Sequence, residues 1–306
     1  MNRKKSFNSP ALWEHLLFLG PASIVFLIVI IIPFIISVGY LFTDWNGVSS
    51  NISFIGIKNF IDIFTGKSNF LGAFKFTFII AICNVVCMNI AGIAIAALLT
   101  TKIPLQSAFR VVFYLPNIIG GLILGFVWQF IFINGVPAIG KLLHFGPLMT
   151  PWLGTEMTAY AAIVIVSVWQ GMGYVMVIMI AALTGISSEL VEAAKIDGAN
   201  AAQIFRKITL PYIMFIMGPY IITQFTGNIN NFNVIYLLSA GKPTPVGETA
   251  GKTDLLVTWL YKLTVDYQYY NIGAVIGILT FVVLSIVALV TYRNTKAYKD
   301  EEGFMY

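Results

Sequence analysis

Along the chain, long apolar runs alternate with shorter polar segments. A membrane-crossing helix needs about 20 mostly apolar residues, and six stretches reach that length. They run from about Leu16 to Phe42, Phe76 to Leu99, Phe109 to Ile133, Met157 to Leu183, Tyr212 to Leu238 and Ile272 to Tyr292. Pro21 and Pro33 fall in the first, and Pro116 with the pair Gly120-Gly121 in the third. Spanning helices tolerate such breakers where neighbours take up the freed backbone groups. The second run carries Ala91, Gly92, Ala94, Ala96 and Ala97, small residues that let helices approach closely. The pattern predicts an all-α polytopic membrane protein with six transmembrane helices, one domain over residues 1–306.

Composition agrees. Apolar residues make up 58% of the chain and charged residues 10%, against about 25% charge in a soluble domain. The formal net charge of +5 is small; in a membrane protein it reports orientation and lipid contact, and no nucleic-acid partner is expected. Six spans put both termini on one side. With the termini inside, the inner segments hold Arg3, Lys4, Lys5, Lys102, Arg110, Lys195, Arg206, Lys207, Arg293, Lys296 and Lys299, which is 11. The outer segments hold Lys58, Lys67, Lys75, Lys141, Lys242, Lys252 and Lys262, which is 7. All four arginines fall inside, so the positive-inside rule predicts cytoplasmic termini. Arg3, Lys4 and Lys5 precede an apolar run too long for a signal peptide, which is expected to be a retained first span.

Candidate chemistry is sparse. Cys83 and Cys87, four residues apart, read as small packing residues on one helix face. His15 and His144 have no partners at metal-ligand spacing, and no metal is expected. Gly247 to Thr253, GETAGKT, imitates a phosphate-binding loop, but only three residues separate its glycines where that loop needs four, and it has no strand–helix context. The aromatic residues of segments 44–73 and 135–156, such as Trp45, Phe54 and Trp152, suit interfacial anchoring and ordered outer lids.

The polar segment between the fourth and fifth runs, 185–211, is the best-charged stretch of the chain. Ser187 and Ser188 suit an N-cap, with Glu189 and Glu192 in the first turns, where acidic groups favour the helix dipole. Asp197-Gly198 ends that helix, a second runs from about Ala201 to Lys207, and Pro211 suits the first turn of the next span. The expected product is a helix–turn–helix with one smooth face, Ala193, Ala194, Ala201 and Ala202. By physics alone it is either an interfacial amphipathic loop or a docking element.

Two spans carry unusual polarity. In the fourth, Ser167, Gln170, Gly171 and Tyr174 share one helical face beside Trp169 and Gly173. The fifth holds Gln224, Thr226, Asn228, Asn230, Asn231 and Asn233, with Gly227 as the expected point of helix loosening. These groups either satisfy one another between helices or line a pore for a hydroxyl-rich solute.

The pattern EAA-x3-G-x9-I-x-LP is complete in Glu192, Ala193, Ala194, Gly198, Ile208, Leu210 and Pro211. By it the chain resembles the permease subunits of ABC importers. Phe54-Ile55-Gly56-Ile57-Lys58-Asn59-Phe60, Phe109 to Pro116, Asn231 to Leu238 and Asp254 to Thr258 resemble the carbohydrate permeases of the MalF-like type. The best-known member of that type has extra N-terminal spans and a large outer domain, which this chain is expected to lack. The resemblance implies a second permease subunit completing the pore, two ATPase subunits that bind ATP and Mg, and an extracytoplasmic sugar-binding protein. No cofactor of this chain's own is expected. The coupling residues it implies are Glu192, Ala193, Ala194, Asp197 and Gly198, gripped by the ATPase. Aligned on Glu192, the family's sugar contacts fall on Ser167, Gln170, Gly171, Tyr174, Gln224, Asn228, Asn231 and Asn233. Of these, Gly171, Tyr174, Asn228 and Asn231 agree in type and the others differ.

The expected function is the non-catalytic permease subunit of an ATP-driven sugar importer in the bacterial cell membrane, most simply for a neutral oligosaccharide such as a malto-oligosaccharide. A monosaccharide or glycerol 3-phosphate would keep the class and change the cargo; a phosphate favours Arg or Lys in the pore faces, where there are none. A membrane enzyme needs acid–base groups within or beside the spans, and a secondary transporter needs intramembrane carboxylates; the spans hold almost none.

Overall fold

The computed structural model describes residues 10–65, 69–101 and 103–294. Arg3, Lys4, Lys5, Lys67, Lys102, Lys296 and Lys299, which enter the charge count above, lie outside them. Among the described residues six helical runs are long and apolar enough to cross a membrane: Leu16–Tyr40, Phe70–Leu99, Gly121–Leu142, Glu156–Thr184, Ala201–Ser239 and Tyr270–Val290. Extended pairing among these residues is limited to one isolated bridge, Thr43 with Phe54.

The third run differs from its expectation. The stretch 109–133 is not one helix. Gln106–Ile118 forms a separate helix that stops where Ile119 and Gly120 become extended (ψ 128° and 137°). The spanning helix begins at Gly121 and continues through Asn134 to Leu142. Apolar character persists across the break, so periodicity alone joined the two pieces.

Prolines explain the other irregularities. The π-helical turns Leu27–Ile31, Ile131–Gly135 and Phe205–Thr209 stand directly ahead of Pro33, Pro137 and Pro211, in the same register each time. Proline lacks an N–H, and its ring crowds the carbonyl four residues earlier. Those carbonyls belong to Val29, Ile133 and Lys207, the central residues of the three wide turns. Opening one turn to π geometry removes the clash and lets each helix run on.

The second and fourth spans make the most extensive helix–helix contact. A Cβ on Gly92 would lie 2.5 Å from Val175 Cβ, and one on Gly171 would lie 2.6 Å from Met88 Sδ. The register 88-to-171 and 92-to-175 means that the two helices run in the same direction. Gly92 and Ala96 face this seam, whereas Ala94 and Ala97 are exposed. Cys83 is exposed and Cys87 half-buried, and they lie around the helix from buried Asn84 and Met88.

At one end the chain folds over itself. Asn59, buried in the Lys58–Thr65 helix, donates to Leu41 O (2.7 Å) and Thr43 O (2.8 Å) and accepts from Asn271 Nδ2 (3.0 Å). One amide thus ties the end of the first span to the start of the sixth. The segment 240–255 and the helix Leu256–Val265 pack beside it around Trp259, whose Nε1 donates to Thr249 Oγ1 (3.1 Å). Asp254, fully buried, accepts from Gly251 N (2.7 Å) and Thr258 Oγ1 (3.0 Å) and forms an ion pair with buried Lys262. Burial pushes the Asp254 carboxyl up, opposed by Lys262 and these hydrogen bonds. The GETAGKT stretch is part of this internally bonded loop, with no strand before it among the described residues.

Candidate functional site: a surface loop joined to a buried amide cluster

The loop 185–211 folds from local signals. Ser188–Ile196 is helical, with Asp197 as its C-cap. Gly198 follows at φ +81°, the left-handed conformation that suits glycine. Its N–H donates to Lys195 O (3.1 Å), and Ala199 N–H reaches back to Ala194 O (2.9 Å). These two bonds make a Schellman ending, which satisfies carbonyls the helix leaves open.

Two details differ from expectation. Ser187 occupies the N-cap position but makes no side-chain capping bond. The side-chain cap is on the second helix instead: Asn200 Oδ1 accepts from Gln203 N (2.9 Å) while Gln203 Oε1 accepts from Asn200 N (2.8 Å). This is a capping box built on Asn and Gln. The second helix also does not stop near Lys207. It passes through the π turn Phe205–Thr209 into Leu210–Ile229, so one helical rod leads from the loop into the fifth span.

Glu192, Ala193 and Asp197 are exposed, and Ala194 is half-buried. A cleft of about 330 Å³ lies between the two short helices, lined by Ala194, Gly198, Gln203, Ile204, Lys207 and their neighbours. Ile196 projects beside it, 86% exposed on an otherwise polar turn.

The rod carries the polar half of the fifth span. The helix is intact through Gly227 and breaks later, at Asn230 and Asn231 (ψ 15° and 78°), before resuming at Phe232–Ser239. Asn230 Nδ2 donates to Thr226 O (3.2 Å), the local side-chain bonding with which asparagine competes against helix. Glycine at 227 permits a bend without requiring one, and the helix instead ends at the two asparagines.

Gln224 and Asn228 are buried and face the second span. Asn84 Nδ2 donates to Asn228 Oδ1 (3.0 Å), and Asn89 Nδ2 donates to Gln224 Oε1 (2.7 Å). Gln224 Nε2 lies 3.3 Å from Met88 Sδ, and Asn228 Nδ2 donates to Gln224 O (2.8 Å). Ser167 is buried, and its Oγ has no hydrogen-bond partner. Gly171 receives Met88, Gln170 Nε2 donates to Ile119 O (3.4 Å), and Tyr174 packs on Tyr220 with ring centroids 5.3 Å apart. Asn231 stands at the helix break and Asn233 is exposed; both lie beyond the amide cluster.

The structure therefore joins Ser167, Gly171, Gln224 and Asn228 around the second span and leaves Asn231 and Asn233 outside the cluster. The sequence-based site includes neither Asn84 nor Asn89, because it rests on the polar faces of the fourth and fifth spans. Two amides in the apolar run Ile82 to Ile95 were the available signal. A primary amide in such a run needs a partner from another helix.

Comparison with known proteins decides the family. A family model described as binding-protein-dependent transport system inner membrane component matches residues 88–296. The chain belongs to that family. This permease is 36% identical over 301 residues to the probable starch degradation products transport system permease protein of Thermoanaerobacterium thermosulfurigenes, covering 98% of this chain and all of that one. It is 33% identical over 306 residues to the maltodextrin transport system permease protein of Bacillus subtilis (strain 168), covering 94% and 70% of the two chains. These relatives place it with the carbohydrate ABC permeases of the MalF-like type. In fold it matches a chain of a bacterial alginate ABC transporter crystallised with an alginate pentasaccharide-bound periplasmic protein, at TM-score 0.76 and 22% identity over 91% and 92% of the chains. It is thus a multi-pass membrane permease subunit, and ATP hydrolysis is the work of partner ATPases.

Proposed function

We propose that this permease imports a neutral oligosaccharide of the malto-oligosaccharide kind, delivered by an extracytoplasmic sugar-binding protein. A second permease subunit completes the pore. Two ATPase subunits, which hold ATP and Mg, grip the loop through Glu192, Ala193, Ala194, Asp197 and Gly198, and both termini are cytoplasmic. The observation that carries this reading is the unbroken helical rod from Ala201 to Ile229, which connects that loop to Gln224 and Asn228. ATP does work here only by favouring one pore state over the other. A loop displaced by closure of the ATPases moves a helix that carries buried amides.

Uncharged cargo is favoured by chemistry. The groups on the fourth- and fifth-span faces are amides, hydroxyls and rings, with neither Arg nor Lys among them. Amides exchange hydrogen bonds with sugar hydroxyls, and rings such as Tyr174 and Tyr220 offer flat apolar surface to sugar C–H faces. The test is ATP hydrolysis by the reconstituted complex with its binding protein, screened over maltotriose to maltoheptaose, galacto-oligosaccharides, alginate oligomers and glycerol 3-phosphate. Stimulation by neutral oligosaccharides supports the reading; stimulation confined to the anionic solutes contradicts it.

A further inference from the structure

The second span contributes two buried or half-buried asparagines for which neither the fold nor the motif accounts. Packing alone is served by Gly92, Ala96 and Met88 along the seam with the fourth span. Asn84 and Asn89 add polar groups at a cost unless each is fully paired. They are not fully paired. Asn84 Oδ1 and Asn89 Oδ1 are buried without a hydrogen-bond partner, as is Ser167 Oγ. The seam register, 92 on 175 and 88 on 171, continues one turn earlier to Asn84 and Ser167, so two of these three groups lie at one level. Gln224 is also poorly served, since its Nε2 donates to a thioether sulfur, a weak acceptor.

We propose that Asn84 and Asn89 are a latch on the sugar site: they occupy Asn228 and Gln224 in the arrangement described above and release them to sugar hydroxyls when the pore opens. This rests on the sugar-permease reading and adds positioning residues from a span to which that reading gave none. A polyol suits the exchange. Each hydroxyl both donates and accepts, so one hydroxyl can accept from an amide N–H and donate to an amide oxygen now left without a donor. A latch with unfilled acceptors is also weaker than a completed network, which suits a contact that must open in every cycle.

The latch has a mechanical consequence. Gln224 and Asn228 sit on the rod that begins in the loop, whereas Asn84 and Asn89 sit on a helix clamped to the fourth span. Breaking the two bonds frees the rod to move with the loop, so the latch opposes the state in which the ATPases close. Interhelical hydrogen bonds in membranes average about 0.6 kcal/mol, a factor of about three in an equilibrium.

The experiment compares the purified complex carrying Asn84→Leu, Asn89→Leu or both with the unaltered complex. Basal ATP hydrolysis is measured without binding protein or sugar, alongside complex yield and melting temperature. Each variant should raise basal hydrolysis about threefold and the pair roughly tenfold. Asn89→Leu combined with Gln224→Leu removes the bond without stranding a partner and should raise it too. Unchanged or lower basal hydrolysis in the intact complex of that combined variant would overturn the latch. A structural role alone would lower stability without accelerating hydrolysis. Maltotetraose stimulation of the unaltered complex is recorded in parallel: its absence counts against the cargo reading, while the basal rates judge the latch independently.

Discussion

Two polar segments of similar length follow the fourth and fifth spans, and they solve opposite problems. The one after the fifth span, 240–266, closes on itself. Asp254, Lys262, Thr253 and Thr258 are all buried there, and each has a partner within the segment or beside it. The one after the fourth span, 185–211, has no buried residue. The turn between its two helices is closed by the Schellman ending on one side and the capping box on the other. Its side chains present Ile196 and a cleft outward. A segment whose buried ion pair and hydroxyls bond within it or beside it is a structural clamp. One that leaves its side chains exposed around a cleft and an apolar knob is the surface on which the proposed ATPase contact rests.

The largest effect should come from breaking the clamp. Asp254→Ala leaves the Lys262 ammonium buried without its counter-charge, a loss of about 3 kcal/mol. Thermal unfolding of the purified permease should shift down, and replacing both residues in Asp254→Asn with Lys262→Met should recover much of that loss. A shift as large in the double variant would mean that the pair is not what holds the segment. Coupling between sugar and ATP hydrolysis in the double variant should be normal, because the clamp is not on the rod.

A smaller effect is expected in the loop. Asn200→Ala removes the side-chain half of the capping box, worth about 1 kcal/mol. Hydrogen exchange at Gln203 and Ile204 should accelerate about fivefold while the clamp amides hold their rates. Equal acceleration in both segments would erase the contrast between them.

Much of this was legible in the sequence. Apolar run length marked six spans, and Gly198 after Asp197 marked the turn that the structure shows at positive φ. The break at Ile119-Gly120 is hidden from hydropathy by the apolar residues on both sides, and the pair Gly120-Gly121 is its local signal. The fifth-span break expected at Gly227 lies at Asn230 and Asn231, because glycine permits a bend without requiring one. The rod is not legible in the sequence, because Pro211 reads as a helix start and only the π turn ahead of it lets the helix continue. The cluster was half legible: Gln224 and Asn228 stood out in a polar half-span, whereas Asn84 and Asn89 were diluted by the apolar residues around them.

The central claim is that the loop 185–211 is the ATPase's handle, and retention of the ATPase tests it most directly. Gly198→Asp puts a side chain on a residue at φ +81°, in the open space beside the cleft. Val246→Asp places the same charge on a fully exposed residue of the clamp segment as a control. Both permeases should insert in the membrane at normal levels. On affinity purification through the permease, the Val246→Asp complex should retain its ATPase and the Gly198→Asp complex should lose it. ATPase retained at the unaltered level by Gly198→Asp would contradict the account.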